Sequence, residues 1–216
     1  MPKYLDFRKE IEDEKLKDSA ETLKDGGIVV FPTETVYGLG ACMWKETAVK
    51  KLYEVKQRSF NKPISLLVSN IDMIKEVAKD ITELEYALMK AFFPGPFTII
   101  LKKKDIVPNI VTANLDTVGI RLPANEIALK LIRYAGFPIA TTSSNISGRP
   151  SVTNLGDVMS EFEGKVDCFI NGGPSEIGVA STIVQVIDGK VHILREGSIS
   201  KEQIDKICLK YYKNEI

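Results

Sequence analysis

The stretch from Gly26 to Gly40, Gly-Gly-Ile-Val-Val-Phe-Pro-Thr-Glu-Thr-Val-Tyr-Gly-Leu-Gly, constrains the fold more than any other part of the chain. A run of strand-forming residues stops at Pro32, which has no N–H to give to a sheet ladder, so the strand ends there and the chain turns. Thr33, Glu34, Thr35 and Tyr37 then fall at the carboxyl end of a strand, where open α/β sheets bind ligands. A strand followed by an ordinary polar loop fits this segment equally well.

Composition narrows the classes. The chain has 216 residues, 44% of them hydrophobic, enough for a substantial core in one large domain or two small ones. Its 29 basic residues balance 29 acidic ones, which excludes holding nucleic acid by bulk charge but leaves room for a local basic patch. No apolar run is long enough to span a membrane, and the charged start is unlike a secretory signal. Cys42, Cys168 and Cys208 are widely spaced, with His192 as the sole histidine. A zinc site or disulfide framework does not follow from that pattern; buried thiols in a reducing cytoplasm do. His192 sits in an alternating run and reads as a strand residue.

Helix and strand patterns alternate along the chain, the signature of an α/β domain. Leu16, Ala20 and Leu23 share helical spacing before Gly26-Gly27, and Ile28–Phe31 is a strand. The pattern predicts a helix over Lys45–Lys56, a strand over Ile64–Val68, and a helix capped by Asn70. Thr82-Glu83-Leu84-Glu85 has the form of a capping box. Strands are predicted at Phe97–Leu101, Thr117–Leu122, Ile139–Thr142 and Cys168–Ile170, with a helix between Asn125 and Gly136. Asp188-Gly189 joins Thr182–Ile187 to Lys190–Leu194 as a hairpin, and a helix from about Ser200 to Tyr212 follows. The hairpin and closely spaced strands imply a mixed sheet. Neither G-x-G-x-x-G nor G-x-x-x-x-G-K-[ST] is present.

Chemistry-bearing residues gather after several of these strands. Lys56-Gln57-Arg58 lies at a helix end; such cations complement the helix dipole, and a lysine with an arginine also suits a polyphosphate. Arg121 stands in an apolar strand, where it needs either an ion-pair partner or a ligand carboxylate. Thr141-Thr142-Ser143-Ser144-Asn145 and Gly148-Arg149-Pro150-Ser151 form a hydroxyl and amide cluster, suited to capping a turn or facing an anion. Ser181 and Arg195 fall near the ends of paired strands and can face one cleft. No Ser-His-Asp or Cys-His set is available, so covalent catalysis is disfavoured. Positioning and charge stabilisation, as in phosphoryl or nucleotidyl transfer, fit these residues better.

Taken in order, Pro32–Gly40, Lys56-Gln57-Arg58, Pro94–Thr98, Val118–Pro123, Ser143–Ser151, Ser181–Val184 and Leu194–Gly197 resemble the YrdC family of threonylcarbamoyl-AMP synthases. The resemblance spans nearly the whole chain. It implies a single YrdC-like catalytic domain over residues 1–216, an α/β fold with a twisted mixed sheet and flanking helices around a concave cationic cleft. It also implies a cytoplasmic nucleotidyltransferase that converts L-threonine, bicarbonate or CO2, and ATP into threonylcarbamoyl-AMP and pyrophosphate. A separate complex would then transfer the threonylcarbamoyl group to tRNA; a weak direct contact with tRNA is compatible with this.

By the same resemblance, Lys56, Arg58 and Arg195 neutralise ATP phosphates, with Lys56 and Arg58 catalytic. Ser143, Asn145 and Ser151 orient the nucleotide. Thr33, Arg121, Thr141 and Ser181 hold threonine, Arg121 on its carboxylate, while Glu34, Thr35 and Tyr37 mainly shape the turn. Mg2+ enters bridging ATP oxygens, with no protein metal ligands expected. Two positions depart from the family pattern: Ser59 follows Arg58 where many relatives have proline, and Leu67 stands where some carry a histidine. The resemblance leads to the expectation of a single-domain form that ends one helix after Arg195, without the additional C-terminal domain of longer members. The rival readings are a non-catalytic RNA-binding domain and a carbamoyl-transfer module of the hydrogenase-maturation type.

Overall fold

The 26–40 segment folds as two antiparallel strands joined by the Pro32–Tyr37 turn. The structure, a computed structural model, describes residues 1–148 and 151–213. In chain order its elements begin with β1 (Lys3–Asp6), α1 (Asp13–Lys24), β2 (Val29–Phe31), β3 (Gly38–Cys42), α2 (Glu46–Val55), β4 (Ser65–Leu67), α3 (Ile71–Val77), α4 (Glu83–Phe92) and β5 (Phe97–Lys102). They continue with α5 (Asn109–Thr112), β6 (Thr117–Arg121), α6 (Glu126–Ala135), β7 (Ile139–Ser143), α7 (Leu155–Phe162), β8 (Cys168–Asn171), β9 (Thr182–Ile187), β10 (Lys190–Arg195) and α8 (Lys201–Tyr212).

All the strands join one 10-stranded sheet in the order β1-β8-β2-β3-β7-β4-β6-β5-β9-β10. The sheet is mixed, as the hairpin and strand spacing implied. β8 runs parallel to β1 and β2, β4 to β6, and β5 to β9, while β2/β3, β3/β7, β4/β7, β5/β6 and β9/β10 are antiparallel. β1 and β10 are open edges, so the sheet is not closed into a barrel. Helices flank it, with α1 packed on α6 and α4 on α8.

Local sequence explains the element ends. Thr82 and Glu85 form the expected capping box: Glu85 Oε2 accepts from the Thr82 N–H at 2.7 Å, and Thr82 Oγ1 accepts from the Glu85 N–H at 3.3 Å. Asn70 and Asn125 cap α3 and α6 through their side-chain oxygens, at 2.9 and 3.0 Å. Gly136 ends α6 with φ 78°, a left-handed conformation that glycine adopts without strain. Inside, Phe31, Tyr37 and Tyr53 are fully buried, each with a large apolar surface removed from water. Cys42, Cys168 and Cys208 are free and buried, as expected. His192 lies in β10.

Four elements were not read from the sequence: β1, β3, α5 and α7. β3 is glycine-rich for a packing reason. A Cβ on Gly40 would meet Phe31 Cε1 at 2.7 Å and Ile139 Cγ2 at 2.8 Å, so the strand passes under a phenylalanine ring only because it carries no side chain there. The Arg149-Pro150 part of the proposed anion-facing loop lies outside the described residues.

Candidate active site

Register puts the polar side chains on one face of the sheet. Gly38 pairs with Ser143, Ser65 with Thr141, Leu67 with Arg121, and Thr98 with Ile183. Paired residues share a face. All eight border a cavity of about 170 Å³, which also takes Thr33, Thr35 and Tyr37 from the turn after β2, Arg58 from the loop after α2, Ser181 from just before β9 and Arg195 from the end of β10. A second, larger groove of about 1020 Å³ lies between α3, α4 and α8. Its lining is mainly apolar and shares no residue with the smaller cavity. The convergence of hydroxyls and guanidiniums assigns the chemistry to the smaller one.

Arg121 is 7% exposed and reaches the cavity from β6. Its Nη2 donates to Thr35 Oγ1 at 2.8 Å, its Nε to Gly95 O at 3.3 Å, and Nη2 lies 2.8 Å from Glu34 Oε1. The ion pair and the cavity position, posed as alternatives by the sequence, hold together. Arg195 donates from Nη2 to Ser181 O at 2.7 Å and to Ser181 Oγ at 3.1 Å, uniting the two residues as expected. Ser181 Oγ also contacts Thr98 Oγ1 at 2.8 Å. Partial burial, then the like charges of Arg121 and Arg58, hold the Arg195 guanidinium below its ordinary pKa. Arg58 donates to Lys62 O and Pro63 O, and burial lowers it likewise.

Lys56 is placed differently. Its side chain is buried, and its ammonium donates to Ser143 O, to Ser143 Oγ at 3.1 Å, to Asn145 O at 2.8 Å and to Asn145 Oδ1 at 3.1 Å. It sits at the C-cap of α2, so it ties the end of that helix to the loop after β7. Burial, then the charge of Arg58, pulls its pKa down to about 7. The surrounding oxygens act in the other direction, because an ammonium can satisfy more of them than an amine.

The remaining predicted residues divide. Thr33, Thr141, Ser143 and Ser181 line the cavity; Lys56, Asn145 and Ser151 do not. The Thr33 hydroxyl works within its own turn, donating to Val36 O at 2.6 Å and accepting from the Thr35 and Val36 N–H groups at 3.3 Å. Thr35 and Glu34, read from sequence as turn-formers, are the ones that meet Arg121. Tyr37 does brace the turn: its hydroxyl donates to Gly173 O at 2.7 Å, and burial raises its pKa to about 12. Leu67 forms an apolar wall. Ser65 and Thr98 were missed; each alternates with buried apolar neighbours in a short strand, a pattern that fixes which face it occupies but not that the face is a site. Among the described residues no group of three or more His, Cys, Asp or Glu side chains gathers to hold a metal ion.

The chain is also similar to known proteins in sequence and fold. Residues 21–197 match the family Sua5_yciO_yrdC, described as telomere recombination. The threonylcarbamoyl-AMP synthase of Pyrococcus abyssi is 42% identical over 94% of this chain and 60% of its own length. That of Bacillus subtilis is 41% identical over 90% of this chain and 57% of its own. The chain thus spans less than two thirds of these relatives. The crystal structure of P. abyssi Sua5 complexed with L-threonine superposes with a TM-score of 0.92 at 42% identity, covering 94% of this chain and 60% of that one.

Proposed function

Because this chain belongs to the Sua5/YciO/YrdC family, we propose that it is an L-threonylcarbamoyladenylate synthase acting on L-threonine, CO2 or bicarbonate, and ATP. The observation that carries the reading is the convergence of Arg58, Arg121 and Arg195 on one hydroxyl-lined cavity. A relative 42% identical to this chain has been crystallised with L-threonine. At about 170 Å³ the cavity suits an amino acid and the reacting end of a nucleotide; it is below the roughly 300–1,000 Å³ usual for larger ligands.

Arg121 takes the threonine carboxylate, with Ser181 and Thr141 beside it. The neutral amine of threonine attacks the carbon of CO2, one C–O π pair moves onto oxygen, and the ammonium proton passes to water, giving a carbamate. A carbamate oxygen then attacks the α-phosphorus of ATP, its P–O bond forms as the bond to pyrophosphate breaks, and pyrophosphate carries away the electron pair. Arg58 and Arg195 stabilise the charge on the phosphoryl oxygens. Lys56 acts through Ser143 and Asn145, holding the loop on which the nucleotide rests, and Ser151 extends that loop. Mg2+ arrives on the ATP oxygens as part of the substrate; the cavity's hydroxyls and cations offer it no carboxylate cage. The unstable product passes to a complex that transfers threonylcarbamoyl to tRNA, in the cytoplasm, with residues 1–216 serving as one catalytic unit.

The test is pyrophosphate formation from ATP, with threonine and bicarbonate each omitted in turn. Release should require both, and release that ignores threonine overturns the proposal. Salt-sensitive RNA binding with no threonine-dependent release would favour an RNA-binding domain.

A further inference from the structure

Glu34 touches neither substrate in that chemistry, yet it is held where a carboxylate is costly. It is 5% exposed, and among the described residues neither of its oxygens accepts a hydrogen bond of good geometry, although Oε1 lies 2.8 Å from Arg121 Nη2. A buried carboxylate is rare without hydrogen bonds, because the loss of hydration is then offset by charge pairing alone. Backbone bonds fix its place: Ile177 N–H donates to Glu34 O and Gly178 N–H to Thr35 O, both at 2.9 Å.

Arg121 lines the cavity and Glu34 does not, so the carboxylate backs the guanidinium without meeting what enters. Arg121 spends Nε on Gly95 O and Nη2 on Thr35 Oγ1; Nη1 has no hydrogen-bond acceptor among the described residues. Arg58 and Arg195 are anchored by backbone carbonyls and the Ser181 hydroxyl, neutral groups that leave their charge uncancelled.

We propose that Glu34 is a positioning residue that sets ligand specificity: it cancels the charge of Arg121 inside the protein and fixes its guanidinium, so that this arm accepts a single carboxylate while Arg58 and Arg195 take the polyanion. The inference rests on the threonine and ATP reading. With three uncompensated guanidiniums on one cavity, phosphate oxygens would compete for all of them. A paired guanidinium has little net attraction for a dianion, but its remaining N–H donors still recognise a carboxylate by geometry.

Calorimetric titration of the full chain tests this, with threonine and ATP binding each measured against sulfate. In the native protein, sulfate that halves ATP affinity should leave the threonine Kd unchanged. In Glu34→Gln the same sulfate should raise the threonine Kd about tenfold, the equivalent of ~1.4 kcal/mol. Glu34→Asp, which keeps the charge, should restore insensitivity. A merely structural role would weaken threonine binding without making it depend on sulfate. Equal sulfate sensitivity of both ligands in the native protein overturns the proposal with no variant needed. A folded Glu34→Gln that remains insensitive overturns it as well. Absence of threonine binding in the native protein is a separate result, which removes the substrate reading and this proposal together.

Discussion

Lys56 and Arg58 are two residues apart and sit in opposite environments. The Lys56 ammonium is enclosed by oxygens of Ser143 and Asn145, whereas Arg58 lines the cavity from a half-buried position. Arg58→Ala removes a cavity cation and little packing, so it should abolish adenylate formation, by about 10²–10³-fold or more, with a folded, cooperative protein remaining. Lys56→Met should lose activity too, but for a positional reason. Its ionisation adds a signature that Arg58 lacks. With a folded pKa of about 7 against an ordinary lysine value of 10.5, the unfolded chain binds more protons between those limits. Stability therefore rises as pH increases from about 7 to about 10.5, and below 7 the contribution is flat. The rise is a few kcal/mol at most, since a tenfold change in proton affinity is worth about 1.4 kcal/mol and the surrounding oxygens reduce the total. Denaturant midpoints measured against pH should climb less steeply in Lys56→Met than in the native protein. Parallel curves would mean that the ammonium sits at an ordinary pKa.

The strand pair β2/β3 shows how an element places a site without contributing its chemistry. Gly40 allows the Phe31 ring to cover the middle of the sheet, and Gly38 lies beside Thr141 and Ser143 on the cavity face. Gly40→Ala would force its Cβ into Phe31 and Ile139, at a cost of about 1–3 kcal/mol typical of overpacking. Chemical denaturation should detect that loss, with an unchanged midpoint refuting the close approach. The same glycines explain why β3 was illegible: strand prediction rests on β-branched and aromatic residues, and Gly38-Leu39-Gly40 carries the opposite signal. β1, α5 and α7 escaped for a related reason, since each is short and its boundary depends on tertiary packing. The long, strongly periodic elements α1, α2, α4 and α6, and the Asp188-Gly189 hairpin, were legible because local signals define them: apolar spacing in all four helices, side-chain caps in α4 and α6, and the turn pair in the hairpin. Site residues followed the same rule. Arg121 stood out as a charge within an apolar strand. Its partner Glu34 looked like an ordinary turn residue, because nothing local distinguishes a carboxylate that folds inward from one that faces water.

At the scale of the molecule, the positive charge is local rather than general. The chain is neutral overall, with 29 residues of each sign, while among the described residues the cavity gathers three guanidiniums, Arg58, Arg121 and Arg195, with Arg121 paired to Glu34. Such a distribution concentrates small polyanions without building the broad basic face that grips a nucleic acid. The reaction proposed for it has the same division: synthesis of a labile adenylate needs an enclosed site, and delivery to tRNA needs a large surface that another assembly can supply. Threonine-dependent pyrophosphate formation should therefore proceed at full rate with no tRNA present. tRNA should bind this chain no more tightly than about 10⁻⁶–10⁻⁴ M at physiological salt, the range of non-specific contacts. Fluorescence anisotropy with labelled tRNA at several salt concentrations measures this directly. Nanomolar binding that persists as salt rises, or pyrophosphate release that starts only when tRNA is added, would place the nucleic acid in the catalytic site and sink this division of labour.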